Sequence, residues 1–266
     1  MKAVGLLGML FAIAFATGAA ADEDNAMKEL APTGKLRVGV AFAPAPTPVF
    51  VAKDAAGNVR GVPFDLGNAL AKALGVPVEI VVAATTGELT EACSSGALDV
   101  AFMPADDERR KRLDFSPAYF VIESTYLVVP SDIKSLADVD RPEVTVVGVA
   151  GSTTMRAAAR SLHNAKVVPA KSVDEAMDMM KAGTAQAFAL THDALPTLQM
   201  KLPGSRILDG AFQITGVAVA LQKSHPAALA YVSNFIESAK ANGTVRRAFE
   251  AAGLQDLPIA PPEPRT

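Results

Sequence analysis

Val76-Pro77-Val78-Glu79-Ile80-Val81-Val82, then Thr85-Thr86-Gly87-Glu88, then Leu98-Asp99-Val100-Ala101-Phe102 is the stretch whose pattern decides the fold. The first run is rich in Val and Ile, so it predicts a strand. Thr85 followed three residues later by Glu88 has the spacing of a capping box and predicts a helix that stops near Gly96. Leu98 to Phe102 is again short and apolar. A helix between two such runs carries the chain back along the sheet, so the second strand lies parallel to the first. A strand–helix–strand unit of this kind predicts a parallel sheet covered by helices.

The same grammar extends in both directions. Upstream, Leu36 to Val40 predicts a first buried strand, and Val49 to Val62 a hairpin turning at Ala55-Ala56-Gly57-Asn58. Asp65 precedes a helix to Leu74, and Gly75 sits where helices stop. Downstream, a second block repeats the unit: strand Val144 to Val149, helix Ser152 to Leu162, strand Lys166 to Val168, a helix boxed by Ser172 and Glu175 and ended by Gly183, and strand Ala185 to Leu190. Two extended passes, Tyr119 to Val129 and Ile214 to Leu221, join the blocks. Two helices divided near Gly243 follow. The chain ends in a proline-rich segment expected to be unstructured. Two α/β blocks joined by two crossovers make a hinge, and the cleft between them can enclose a ligand.

The N-terminus predicts export. Lys2 precedes an uncharged apolar run from Ala3 to Ala16, and Ala19 and Ala21 form a cleavage pattern before Asp22-Glu23-Asp24. Residues 1–21 are expected to be a secretory leader, leaving a soluble periplasmic protein. Its lone cysteine, Cys93, excludes an internal disulfide and reads as a small buried residue. His163, His192 and His225 are scattered, so no metal site is expected, and no cofactor. With 25 basic and 28 acidic residues the net charge is −3, and losing Lys2 makes it −4. That balance gives no footing for nucleic acid or an anionic membrane.

The order Gly34-Lys35-Leu36-Arg37-Val38-Gly39-Val40, Gly61 to Asp65-Leu66, Ala97-Leu98-Asp99-Val100, Asp107-Glu108-Arg109 and Leu113-Asp114-Phe115-Ser116-Pro117-Ala118-Tyr119 resembles family 3 of the bacterial solute-binding proteins. The similarity continues through Val147-Gly148-Val149-Ala150-Gly151-Ser152-Thr153 to Asn242-Gly243-Thr244. The resemblance implies a two-lobed α/β fold of the type II periplasmic binding class, lobes joined by two crossover strands. It implies a receptor that closes on a small solute and presents it to the ABC permease of the inner membrane. The expected lobes are 34–123 plus 212–258 and 124–211, with 259–266 as a disordered tail, and a monomer is expected.

Arg109 falls where the family carries its carboxylate-binding arginine, and a guanidinium suits that task because its planar fork donates two parallel hydrogen bonds. Arg110 and Arg112 are expected to face water. Gly151-Ser152-Thr153-Thr154 lies between a predicted strand and helix, where free backbone N–H groups favour an anion. Ser and Thr are also ordinary helix caps there. Through the resemblance, Ser152 and Thr153 meet the carboxylate from the second lobe.

The chain also departs from the family. After the first strand the usual acid is missing and Phe42 is the only ring, with Phe64 or Tyr119 as further candidates for an apolar wall. The family's second ammonium-binding carboxylate falls at Thr191, where Asp193 could substitute or begin a helix. The expected site is therefore Arg109, Ser152, Thr153, Phe42, Thr191 and Asp193, and no enzyme is expected. The alternative from another class is a dehydratase-like enzyme on the same fold, for which Asp106, Glu123, His192 and Asp193 are the acid–base candidates.

Overall fold

The computed structural model describes residues 13–42, 47–129 and 132–263. Helix α1 (Ile13–Leu30) leads into β1 (Leu36–Ala41), a short hairpin β2 (Ala52–Lys53) and β3 (Val59–Arg60), and α2 (Val62–Leu74). Then come β4 (Val78–Ala83), α3 (Thr86–Ser94), β5 (Val100–Pro104), α4 (Asp107–Arg110), β6 (Leu113–Phe115) and the long β7 (Phe120–Val128). The second block holds β8 (Thr145–Val149), α5 (Thr153–Ser161), β9 (Lys166–Ala170), α6 (Val173–Lys181), β10 (Ala187–Thr191), α7 (Leu195–Met200) and β11 (Arg206–Ile207). β12 (Gln213–Gln222), α8 (Pro226–Ala241) and α9 (Thr244–Ala251) complete the chain.

One curled sheet runs β4-β1-β5-β12-β7-β10-β8-β9. β1 pairs in parallel with β4 and β5, and β8 in parallel with β9 and β10. The two halves meet at β7 and β12, which lie antiparallel at the centre. β12 continues against β5 from Val217 to Leu221, while β7 continues against β10 from Ser124 to Val128. These are the two crossovers, and each lobe packs its own apolar core on either side of them. The first centres on Leu36, Val38, Leu66, Phe102 and Phe249, the second on Val147, Met177, Phe188 and Leu195. Phe212 stacks on Tyr126 at 4.4 Å, in a further apolar cluster that also holds Val128, Val146 and Ala189.

Local chemistry explains the helix ends. Thr85 Oγ1 accepts the Glu88 N–H at 3.1 Å, and Ser172 Oγ accepts that of Glu175 at 3.2 Å. α2 starts at Val62, four residues before the sequence expectation, because Pro63 tolerates the first turn, and Asp65 falls inside that turn.

One expectation changes. The segment after Pro258 is ordered through residue 263. Ile259 bridges to Phe120, Ala260 donates to the Tyr119 carbonyl, and the buried Lys240 ammonium donates to the carbonyls of Pro261 and Ala118. Proline composition missed this because the anchoring groups lie on other elements. The N-terminal expectation lies partly outside the described residues. From Ile13 the helix runs on past Ala21, and its 22–30 part packs on α8, where Glu29 caps that helix by accepting the Ala228 N–H at 2.7 Å. Among the described residues, no helix is long and apolar enough to cross a membrane.

Candidate functional site

The charge run from Asp106 to Arg112 splits in two. Asp106 caps α4 by accepting the Arg109 N–H at 2.9 Å, and this turn sends the Arg109 side chain inward, where only 3% of the residue is exposed. Arg110 lies over the Phe115 ring at 5.3 Å, Lys111 pairs with Glu108, and Arg112 grips Glu91, all three at the surface. Arg109 donates to the Pro104 carbonyl and the Thr86 hydroxyl, each at 2.8 Å, both within its lobe. It also reaches across the cleft to the Gly151 carbonyl at 3.3 Å. A guanidinium has five N–H donors, so these bonds leave donors to spare. Burial, then the like charge of Arg156, push this group down to about 9, against the pull of Asp106. It remains a cation at neutral pH.

Gly151 takes φ +72°, a left-handed turn that glycine adopts without strain. A Cβ there would stand 3.7 Å from the Gly87 Cα, so the two helix starts, of α3 and α5, meet backbone to backbone. Ser152 caps α5: its hydroxyl accepts the Met155 N–H at 3.1 Å and donates to the Val149 carbonyl at 2.7 Å. That hydroxyl is committed to the turn. Thr153 is buried at the start of α5, and Thr154 shares a 3.3 Å hydrogen bond with Ser124 of β7.

Thr191 ends β10 opposite Ser124, 1% exposed, and its hydroxyl has no hydrogen-bond partner among the described residues. Asp193 does not cap α7. It is half-buried and accepts from the Thr47 hydroxyl at 3.1 Å, a second bond between lobes. Phe42, half-buried, packs on the first core. Tyr119 lies wholly inside that core, edge-on to Phe102 at 5.9 Å, with Phe64 packed at its margin.

Sequence reasoning missed Arg156. Its Nε and Nη2 both donate to Asp106 Oδ2, and its Nη1 donates to the Gly151 carbonyl at 2.9 Å. The carboxyl of Asp106 is raised by burial, but the Arg109 N–H and the Arg156 guanidinium outweigh that and hold it below the usual range. The available signal was a cation near a helix N-terminus, a position that disfavours positive charge.

Arg109, Thr86, Asp106, Gly151 and Arg156 thus form one hydrogen-bonded junction to which both lobes contribute, buried at Arg109, Thr86 and Asp106, while Thr154 and Thr191 both neighbour Ser124 of β7. The acid–base candidates do not assemble there: Glu123 and His192 are exposed, and Asp106 is spent on Arg156. A separate open groove of about 1450 Å³ lies between α1, α2 and α8, lined by Lys28, Lys72, Tyr231 and Phe235 among others.

The sequence pattern of the bacterial extracellular solute-binding proteins, family 3, matches residues 36–252. A glutamine-binding protein of Geobacillus stearothermophilus is 28% identical over 194 residues, 71% of this chain and 72% of that one. The solved ancestral amino acid-binding protein that is a precursor of cyclohexadienyl dehydratase is 31% identical, with TM-score 0.69 over 85% of this chain and 98% of its own. A protein from Wolinella succinogenes, assigned as the binding component of an ABC transporter and complexed with lysine, is 28% identical, with TM-score 0.70 over 82% of this chain and 95% of its own.

Proposed function

The chain belongs to the bacterial extracellular solute-binding proteins of family 3, and from that premise we propose that it is the periplasmic receptor for an amino acid or a closely related small carboxylate. In this reading residues 1–21 are a leader removed on export, and the mature protein works as a monomer that delivers its solute to an ABC permease. The lobes close over the solute, with the carboxylate on the Arg109 fork and the backbone N–H groups at the start of α5. Thr191 and Asp193 face the rest of the molecule, and Phe42 flanks it.

The observation that carries this reading is Arg109 itself. Burying a guanidinium with no carboxylate in its fork is costly, and here its own acidic neighbour is engaged by another arginine. Such a group is prepared for an anion that is not part of the protein. The relatives named above bind glutamine and lysine, which supports an amino acid as the class.

A thermal-shift screen of the L-amino acids, their 2-hydroxy analogues and small dicarboxylates tests it, because a ligand specific for the folded state raises the melting temperature by mass action. At least one monocarboxylate is expected to shift the transition by several degrees. No shift at millimolar concentrations of any of them would refute the proposal. Mass spectrometry of protein from the native host checks the leader, with Asp22 as the expected first residue.

A further inference from the structure

Resting on the carboxylate site just proposed, we infer that Arg156 is a positioning residue that switches the anion site on: as the lobes close it draws Asp106 off Arg109 and leaves the Arg109 charge free for the solute. Asp106 and Arg109 share one turn of the first lobe, three residues apart, and Asp106 Oδ1 caps that turn. Its other oxygen needs a cation. Within its own lobe the neighbours are taken, since Lys111 holds Glu108, Arg112 holds Glu91 and Arg110 lies on Phe115. Arg109 is the cation that remains. Only when α5 of the second lobe arrives does Asp106 Oδ2 receive Nε and Nη2 of Arg156.

Charge counting gives the consequence. With the lobes apart, Asp106 and Arg109 cancel. With the lobes together, two guanidiniums face one carboxylate, and the junction carries one unmatched positive charge. A solute carboxylate is matched by the closed form and not by the open one, so it shifts the equilibrium toward closure. Arg156 does this without contacting the solute. Its place near the start of a helix, unfavourable for a cation, is offset by Asp106 and by the Gly151 carbonyl it also holds.

The variants follow from the count. Arg156→Gln returns the closed junction to zero charge, and Asp106→Asn added to it restores the single positive charge. Asn is as good a helix cap as Asp, so α4 keeps its start. With the L-amino acid or monocarboxylate giving the largest thermal shift as probe, Arg156→Gln is expected to weaken binding about thirtyfold. The double variant should regain about tenfold of that, and Arg156→Lys part of it. A double variant no better than Arg156→Gln would overturn the inference, since a purely structural arginine is not rescued by removing a second side chain. A crystal structure of unliganded Arg156→Gln supplies a readout that needs no solute. Asp106 Oδ2 hydrogen-bonded to the Arg109 guanidinium supports the exchange, and Asp106 turned away from Arg109 overturns it. Arg109→Ala separates the two ideas: unchanged affinity there would refute the carboxylate site, while the unliganded structure would still decide the exchange.

Discussion

Replacing Arg109 with alanine removes a buried cation and its bonds to Pro104, Thr86 and Gly151. For the solute, the change deletes a charge-assisted, two-pronged interaction with a side chain that is almost wholly buried. Truncating one partner of such a pair costs roughly 2–5 kcal/mol, or about thirtyfold to several thousandfold in Kd. For the fold the balance is different. The Thr86 hydroxyl and Pro104 carbonyl lose a donor, at about 1–3 kcal/mol each if left unsatisfied, but the cost of holding a buried charge disappears as well. Affinity should therefore fall far more than stability, and calorimetry beside thermal melting separates the two. Arg109→Lys should recover part of the affinity, since an ammonium keeps the charge without the fork. Arg110→Ala, one residue away and stacked at the surface on Phe115, should leave affinity within about twofold. Equal losses at Arg109 and Arg110, or unchanged binding in Arg109→Ala, would refute the assignment.

Thr191→Val removes a buried hydroxyl without a partner, so the melting temperature should hold or rise, while affinity falls by about tenfold if the hydroxyl meets the solute as proposed. A destabilised variant would contradict the orphaned geometry. Burial, with the charge of Asp99 second, pushes the Cys93 thiol up to about 12. The native protein should therefore resist a thiol reagent at pH 8 and yield one thiol in denaturant, and fast native labelling would contradict this. Deleting residues 259–266 strips the half-buried Ile259, the buried Ala260 and one acceptor of Lys240, and should lower stability by about 1–3 kcal/mol. An unchanged urea midpoint would show that the segment does not dock. Because the Asp106 carboxyl is held below its ordinary value of 3.8, its stabilising contribution persists at pH 5 and is lost only as pH falls through the lowered value. Scattering that shows the solute-bound lobes opening already at pH 5 would contradict the Asp106–Arg156 latch.

The parallel strands β1, β4, β5, β8, β9 and β10 were readable because each is a short run rich in apolar residues beside a helix with its own signals, whereas the short β6 and β11 carry no such punctuation and were not readable. Thr85 and Ser172 cap where their spacing to the next turn predicts, and Gly75 and Gly183 close helices in left-handed conformations. The inward Arg109 and outward Arg110 and Arg112 followed from one residue's place in a longer pattern. Other features depend on pairings between distant segments. Asp106 and Arg156 are fifty residues apart, and nothing local to either names the other. The hydroxyl of Ser152 was expected to meet the solute carboxylate as well as cap the helix, yet the turn that brings Val149 beneath it engages it as both donor and acceptor. Asp193 had the look of a helix cap and instead meets Thr47 from the opposite lobe. The docking of Ile259 on Phe120 needs a strand edge supplied by the crossover.

A crystal structure with the solute that gives the largest thermal shift decides where the protein holds its cargo. The expected result is a carboxylate about 3 Å from the Arg109 guanidinium, enclosed between the starts of α3 and α5, with the Asp106–Arg156 pair intact beside it. A solute seated in the outer groove between α1, α2 and α8, or one in the cleft with its carboxylate turned away from Arg109, would contradict it.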